Sequence, residues 1–107
     1  MDETLVVLVT APDAEAAARI ARTLVEEGLA ACGNVVPGLR SIYRWEGKLC
    51  DEPEALLILK TVRGRYAALE ARVRALHPYS CPEVLALPVA AGSEAYRRWV
   101  EDAVRPG

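Results

Sequence analysis

Residues 32–47 read CGNVVPGLRSIYRWEG and predict one long strand that ends in a tight turn. Apolar and polar side chains alternate over residues 39–45, which is the period of a β-strand, and Glu46-Gly47 is typical of a hairpin turn. Pro37-Gly38 interrupts the pattern. Because proline cannot donate a ladder hydrogen bond, we expect a bulge or an edge at that point.

The returning strand of this hairpin covers Lys48 to Thr61, and its Asp51-Glu52-Pro53 segment predicts a second break. Both breaks lie at similar distances from the turn, so we expect them to face each other. Residues 31–46 could reach roughly 50 Å at about 3.3 Å per residue, whereas a compact domain of this size has a radius of gyration of about 13 Å. The hairpin must therefore bend or protrude. A protruding hairpin that exposes Tyr43 and Trp45 predicts a homo-oligomer, because such edges are normally covered.

The segment before the hairpin contains a strand and a helix. Leu5 to Val9 is a continuous apolar run, which predicts a strand buried on both faces. Asp13 is a suitable N-cap for the helix that follows, and Gly28 suits its C-terminal end. The apolar face of this helix has helical spacing and consists of Ala17, Ile20, Ala21, Leu24 and Val25.

The segment after the hairpin predicts a helix, a strand and a last helix. The first helix covers about Gly64 to Leu76 and ends at His77-Pro78, because a residue before proline avoids the helical region. Glu83 to Ala90 predicts a core strand, and Ser93 caps a short C-terminal helix. The order β-α-β-β-α-β predicts an α+β fold, a ferredoxin-like sandwich with one antiparallel sheet, two helices on one face, an extra C-terminal helix and a long hairpin.

Length and composition limit the classes of protein. The 107 residues fit a single domain, residues 1–107, and the 52% of apolar residues can form a core. The net charge of −2 argues against a non-specific nucleic-acid binder, which needs a basic stripe. No run approaches the roughly 20 apolar residues of a membrane helix, and the acidic start is unlike a signal peptide. We therefore expect a cytoplasmic protein with no nucleic-acid or membrane partner.

The three cysteines are odd in number and widely spaced. Cys32, Cys50 and Cys81 form no CxxC pair, which argues against structural zinc, and they do not resemble a disulfide framework. We expect all three to be free thiols, as in most cytosolic proteins.

Several stretches closely resemble the CutA family of divalent-cation tolerance proteins. They are Leu29–Gly38, Ser41–Gly47, Leu59–Thr61, Leu76–Tyr79, Pro82-Glu83 and Leu87–Val89. The resemblance extends from Val6 to Trp99 and implies a ferredoxin-like fold. It also implies a homotrimer similar to that of the PII signalling proteins, in which strands of neighbouring subunits pair. The implied role is tolerance to divalent cations, copper especially.

Two residues are candidate metal ligands, His77 and Cys32. His77 is the only histidine, neutral imidazole suits copper and zinc, and the resemblance places it in a motif linked to copper binding. A trimer would supply three such rings to a shared site. The alternative is a helix-end histidine that hydrogen-bonds a backbone carbonyl or another subunit. A chelating loop of His77 with Cys81 has only weak support from its spacing.

Cys32 matches the cysteine of the family's Leu-Ala-Ala-Cys stretch, but its apolar neighbours favour a small buried thiol. Some relatives carry a cysteine in the first strand, directly before Thr-Ala-Pro, and this chain has Val9 there. If that cysteine binds copper in those relatives, this chain lacks the ligand.

The resemblance places Lys60, Tyr79 and Glu83 near the cleft between subunits. They would form either a pocket for a small anion or metabolite, or an interfacial ion pair. Tyr43 and Trp45 are predicted to anchor the trimer interface, as aromatic residues often do, although they could also stack on a ligand. No nucleophile is recognisable with an orienting partner, and no glycine loop could hold a phosphate. We therefore expect no catalysis and no organic cofactor.

The leading hypothesis is a non-catalytic homotrimer that acts in metal tolerance and binds copper or another divalent metal. The alternative is a PII-like signalling module that binds a small molecule in its intersubunit cleft. A third and weaker hypothesis is an enzyme that uses Cys32 or His77.

Overall fold

The computed structural model describes residues 1–106, which form an α+β fold of four strands and three helices. In chain order the elements are β1 (Thr4–Ala11), α1 (Ala14–Glu26), β2 (Cys32–Trp45), β3 (Lys48–Val62), α2 (Arg63–Leu76), β4 (Val84–Pro88) and α3 (Glu94–Ala103). The strands form one sheet in the order β2-β3-β1-β4, and every neighbouring pair is antiparallel. The predicted order of elements and the single antiparallel sheet are confirmed.

The sequence signals for the helix ends are also confirmed. The Asp13 carboxylate accepts a hydrogen bond from a first-turn N–H of α1 at 2.8 Å, and Ser93 caps α3 in the same way. Gly28, just after α1, has a φ of 70°, a conformation that glycine adopts without a Cβ penalty. α2 ends at His77, because Pro78 cannot continue the helix.

Helices α1 and α2 cover only one face of the sheet, so the prediction that β1 is buried on both faces is wrong. Val7 and Val9 are fully buried against the two helices, in a core that also contains Leu24 of α1 and Leu69 of α2. Their neighbours Val6 and Leu8 point to the opposite face and are only half-buried. An apolar run cannot show whether a second layer covers its other face.

The opposite face of the sheet is apolar and largely open. α3 covers one end of it, where Val100 and Val104 pack against Val62. Beyond α3, Leu85 and Leu87 of β4 pair with Leu8 and Val6 of β1 and are 58% and 52% exposed. One layer of helices therefore leaves a row of leucine side chains in contact with solvent.

The long hairpin of β2 and β3 contains one bulge, not two breaks. The register shifts between Val36 and Leu39, so the predicted interruption at Pro37-Gly38 is confirmed and lies opposite Ala55. The break predicted at residues 51–53 is wrong, because β3 is continuous there and Pro53 pairs with Arg40. Proline is tolerated at this position because the ladder with β1 ends at Ala55, and beyond it β3 pairs on one side only.

The end of the hairpin extends away from the rest of the sheet. Glu46 and Gly47 form the turn with φ values of 50° and 78°, as expected for a two-residue hairpin loop. The molecule measures 44 × 26 × 21 Å, and its radius of gyration is 14.3 Å. Of the two predicted alternatives, a bend or a protrusion, the hairpin protrudes, and Tyr43 and Trp45 on it are 42% and 48% exposed.

Two other sequence predictions can be compared with the structure. Strand β4 is shorter than the predicted segment, residues 83–90, because it pairs only with Leu5–Val9 of β1. Cys32, Cys50 and Cys81 are free thiols, as predicted. Among residues 1–106, no helix is both long enough and apolar enough to cross a membrane.

Candidate functional site

His77 is buried at the end of α2, and both of its ring nitrogens contact the backbone. Nε2 lies 2.7 Å from the Thr10 carbonyl oxygen, and the Tyr79 N–H donates to Nδ1 at 3.1 Å. Because Nδ1 accepts, Nε2 must carry the proton that is donated to Thr10, so this network assigns the neutral Nε2–H tautomer. The ring joins the end of β1 to the loop after α2. A metal could bind His77 only after one of these two hydrogen bonds breaks.

Cys32 lies at the start of β2, beside α3. The residue is half-buried, and its Sγ lies 3.6 Å from the Tyr96 hydroxyl; this hydrogen bond together with burial raises the pKa of Tyr96. Cys32 pairs with Lys60, which pairs with Val6, four residues along β1 from Thr10. At roughly 3.3 Å per residue, Cys32 and His77 are separated by about 13 Å along the strand direction. The structure therefore does not bring the two candidate ligands together.

In the part of the chain that the structure describes, no three His, Cys, Asp or Glu side chains are grouped as metal ligands. Lys60 is also apart from the other predicted cleft residues. It lies on the open face of the sheet, where its Nζ donates to the Asn34 side-chain oxygen.

The other predicted residues meet in one cavity of about 530 Å³ between the hairpin and the loop after α2. Its lining residues are Thr10, Ser41, Ile42, Tyr43, Trp45, Glu54, Tyr79, Ser80, Cys81 and Glu83. Tyr79 and Glu83, predicted for a cleft, therefore share a cavity with Tyr43 and Trp45, predicted for a subunit interface. The bulge in β2 changes the register, so that Leu39 pairs with Glu54 and the residues of β2 beyond it reach this cavity.

The cavity has an acidic lining. The Tyr79 hydroxyl donates a 2.8 Å hydrogen bond to Glu54, and burial together with this carboxylate raises the pKa of Tyr79 well above its ordinary value. Burial, and then the nearby Cys50, Glu54 and Glu52, raise the pKa of Tyr43. A second carboxylate, that of Glu83, lies on the loop side.

Sequence reasoning did not identify Glu54 as a site residue. It is one of three acidic residues between 51 and 54, and only the register and the contact with Tyr79 distinguish it from Asp51 and Glu52. Asp51 points to the other face of the hairpin and pairs with Arg40 at 2.7 Å. β3 is continuous, so its two-residue period places Asp51 on the face opposite to Glu52 and Glu54, and the bulge in β2 brings Tyr43 and Trp45 to the Glu54 face. The break predicted at residues 51–53 concealed this period in the sequence.

His77 orients the loop side of the cavity. Its ring accepts from the Tyr79 N–H, and the two ring centroids are 4.7 Å apart. Because His77 is also tied to Thr10, the position of Tyr79 relative to β1 depends on this imidazole. The histidine therefore contributes to the cavity through Tyr79, although it does not line it.

Comparison with known proteins identifies a family. Residues 5–103 match the family model described as CutA1 divalent ion tolerance protein. The divalent-cation tolerance protein CutA of Thermus thermophilus is 52% identical over 97 residues, which cover 91% of this chain and 94% of that protein. The chloroplastic protein CutA of Arabidopsis thaliana is 45% identical over 102 residues, or 95% of this chain, but the match spans only 56% of that protein.

Solved structures agree with this result. The periplasmic divalent cation tolerance protein CutA from Archaeoglobus fulgidus superposes with a TM-score of 0.92 at 35% identity, covering 95% of this chain and 99% of that one. The family is named for divalent-ion tolerance and not for an enzyme activity. The match extends over most of the sheet, the long hairpin and all three helices, and this chain belongs to the CutA1 divalent ion tolerance family.

Proposed function

We propose that this chain acts in divalent-cation tolerance as a non-catalytic, cytoplasmic homotrimer of ferredoxin-like subunits, which binds copper or another divalent metal at ligands from more than one subunit. The observation that supports a metal site shared between subunits is the distance between the candidate ligands within one chain. His77 and Cys32 lie in different parts of the fold, and no group of three ligands forms within residues 1–106. Copper and zinc sites in proteins commonly use three or four protein ligands, so several subunits must contribute.

Three features support the assembly and the compartment. The open face of the sheet exposes Leu85 and Leu87, and the hairpin exposes Tyr43 and Trp45. Exposed apolar surface of this kind is usually covered by a partner. The free thiols fit a reducing cytoplasm, although the Archaeoglobus relative is described as periplasmic.

Copper calorimetry at two pH values tests direct metal binding. His77→Ala should abolish most of the affinity for copper. It should also remove the pH dependence of copper binding, since a histidine must be deprotonated to bind metal. Cys32→Ser should weaken binding if the thiol is a ligand, and Cys81→Ser serves as the control for a chelating loop. Direct binding is wrong if the wild-type protein takes up no copper. The histidine site is wrong if His77→Ala binds copper as tightly as the wild type.

The second candidate function is a PII-like signalling module that binds a small molecule in a cleft between subunits. The cavity that joins Tyr79 and Glu83 to Tyr43 and Trp45 favours it, because ligand pockets are commonly concave and lined by aromatic residues with a few polar groups. A metabolite screen by thermal shift tests this function. A compound that raises the melting temperature of the wild type, but not of Tyr79→Ala, would support it.

A further inference from the structure

The cavity beside the hairpin has the size and the walls of a ligand pocket. Its volume of about 530 Å³ lies inside the range of roughly 300–1,000 Å³ that is usual for small-molecule sites. Three aromatic rings line it, and Tyr43, Trp45 and Tyr79 are 42%, 48% and 38% exposed. The faces of such rings attract cations electrostatically, with indole the strongest of the side chains.

All of the charged side chains that line the cavity are acidic. Glu54 and Glu83 contribute carboxylates, and no Lys or Arg is among the lining residues. Within residues 1–106, neither glutamate takes part in an ion pair. The nearest arginines along β2 are engaged elsewhere, since Arg40 pairs with Asp51 and Arg44 donates to the Gly47 carbonyl.

Within one chain, Lys60 does not supply a positive charge to the cavity that contains Tyr79 and Glu83. Lys60 donates to Asn34 on the open face of the sheet and is not part of the cavity lining. Without it, an anion entering the cavity would meet two carboxylates and no compensating charge. A neutral apolar ligand would leave the same two carboxylates without a counter-charge, which costs free energy when water is displaced.

We infer that this cavity binds a small organic ammonium ion. The carboxylates of Glu54 and Glu83 neutralise the ligand's charge, and the rings of Tyr43 and Trp45 contact its alkyl groups. Tyr79 holds Glu54 in place through its 2.8 Å hydrogen bond. This inference rests on the second candidate function, the small-molecule module, and is independent of copper binding.

The test uses choline as the probe and its uncharged carbon isostere, 3,3-dimethyl-1-butanol, as the matched control ligand. Both are titrated into the native oligomer, while the Trp45 indole and the tyrosine rings are followed by NMR. We expect choline to shift these resonances and to bind at least about tenfold more tightly than the isostere, which corresponds to about 1.4 kcal/mol. Succinate serves as the anionic probe and should not bind.

Variants assign the effect to the cavity. Glu54→Gln with Glu83→Gln should weaken choline binding about tenfold or more. The side-chain amide introduced at position 54 still accepts from Tyr79, so the fold is retained. Glu26→Gln removes a single carboxylate from the exposed face of α1 and should leave binding unchanged. Trp45→Leu should weaken binding about fivefold while keeping apolar contact. Light scattering on each variant checks that the oligomer is intact.

Four results would overturn the inference. They are no shift with choline, equal binding of the isostere, unchanged binding by the double glutamine variant, and Trp45 resonances that stay fixed because a neighbouring subunit fills the cavity. If choline fails but a compound from the metabolite screen shifts the same resonances, the ammonium class is wrong and the small-molecule module stands. If neither choline nor any screened compound shifts them, both are wrong.

Discussion

His77 shows how a single residue can join elements that are distant in sequence. Its imidazole accepts from the Tyr79 N–H and donates to the Thr10 carbonyl, 67 residues away, while it is only 7% exposed. Backbone groups that lose a buried partner cost free energy because water cannot replace it. The ring therefore has a structural role, whether or not it also binds metal.

We expect His77→Ala to lower the free energy of unfolding by about 1–3 kcal/mol, because the Thr10 carbonyl and the Tyr79 N–H both lose their partner. Urea unfolding at a fixed protein concentration measures this change. Arg74→Ala, at an exposed position in the last turn of α2, is the control and should stay within about 0.5 kcal/mol of the wild type. A loss no larger than that of the control would contradict the structural role.

The raised pKa of Tyr79, also a property of a single residue, predicts that stability depends on pH in the alkaline range. Burial and the hydrogen bond to Glu54 raise the pKa of its phenol, so the fold favours the neutral form. Its contribution to stability is fully present below the unfolded pKa of about 10 and is lost as the pH rises towards the folded value. In an alkaline titration, the phenolate absorbance of the wild type should contain a late ionisation step that is absent from Tyr79→Phe. Glu54→Gln should bring that step to lower pH; an unchanged titration would refute the assignment.

At the scale of elements, Gly33 allows α1 to pack closely on β2. A Cβ at this position would lie 2.9 Å from the Ala21 Cβ and 3.1 and 3.2 Å from methyl carbons of Leu59 and Leu57. These distances are shorter than van der Waals contact. The absence of a side chain at Gly33 thus sets the distance between the helix layer and the edge strand of the sheet.

Gly33→Ala should destabilise the protein by about 1–3 kcal/mol, since overpacking forces the helix or the strand to move. Thermal and urea unfolding measure the change. Gly92→Ala is the matched control, because the added methyl group meets only ordinary contacts at 3.5 Å or more. Adding Ala21→Gly to Gly33→Ala should reduce the clash, so the double variant should be more stable than the sum of the single changes predicts. Strict additivity would mean that the two residues do not contact.

The whole molecule has two surfaces that a single chain leaves uncovered, the open sheet face and the aromatic side of the hairpin. We expect light scattering to give about three times the mass of one chain at micromolar concentration, since three chains could cover both surfaces. A stable monomer would refute this. Trp45→Asp should disrupt the assembly, because it would bury an unpaired charge, whereas Trp45→Phe keeps an apolar ring and should preserve it.

Local sequence determined most of the secondary structure. The sequence signals that were confirmed each act over a few residues. They are the caps Asp13 and Ser93, the proline after His77 and the apolar–polar alternation in the hairpin. Each depends on hydrogen bonds or on a side-chain period within its own segment. Glu46-Gly47 also identified the turn from the sequence alone. A two-residue hairpin loop requires left-handed backbone at these positions, and this requirement does not depend on the rest of the fold. The family was also recognisable from the sequence, since its stretches extend over nearly the whole chain.

Only the tertiary structure decided the site. The bulge in β2 placed Tyr43 and Trp45 on the same face as Glu54, whereas Asp51, three residues from Glu54 in the continuous β3, lies on the other face and pairs with Arg40. Chain packing brought His77 to Thr10 and kept Lys60 out of the cavity. It also left one face of β1 half-open, which an apolar run cannot reveal. These outcomes depend on pairings between residues far apart in the chain, and no local period or composition encodes which long-range pair will form.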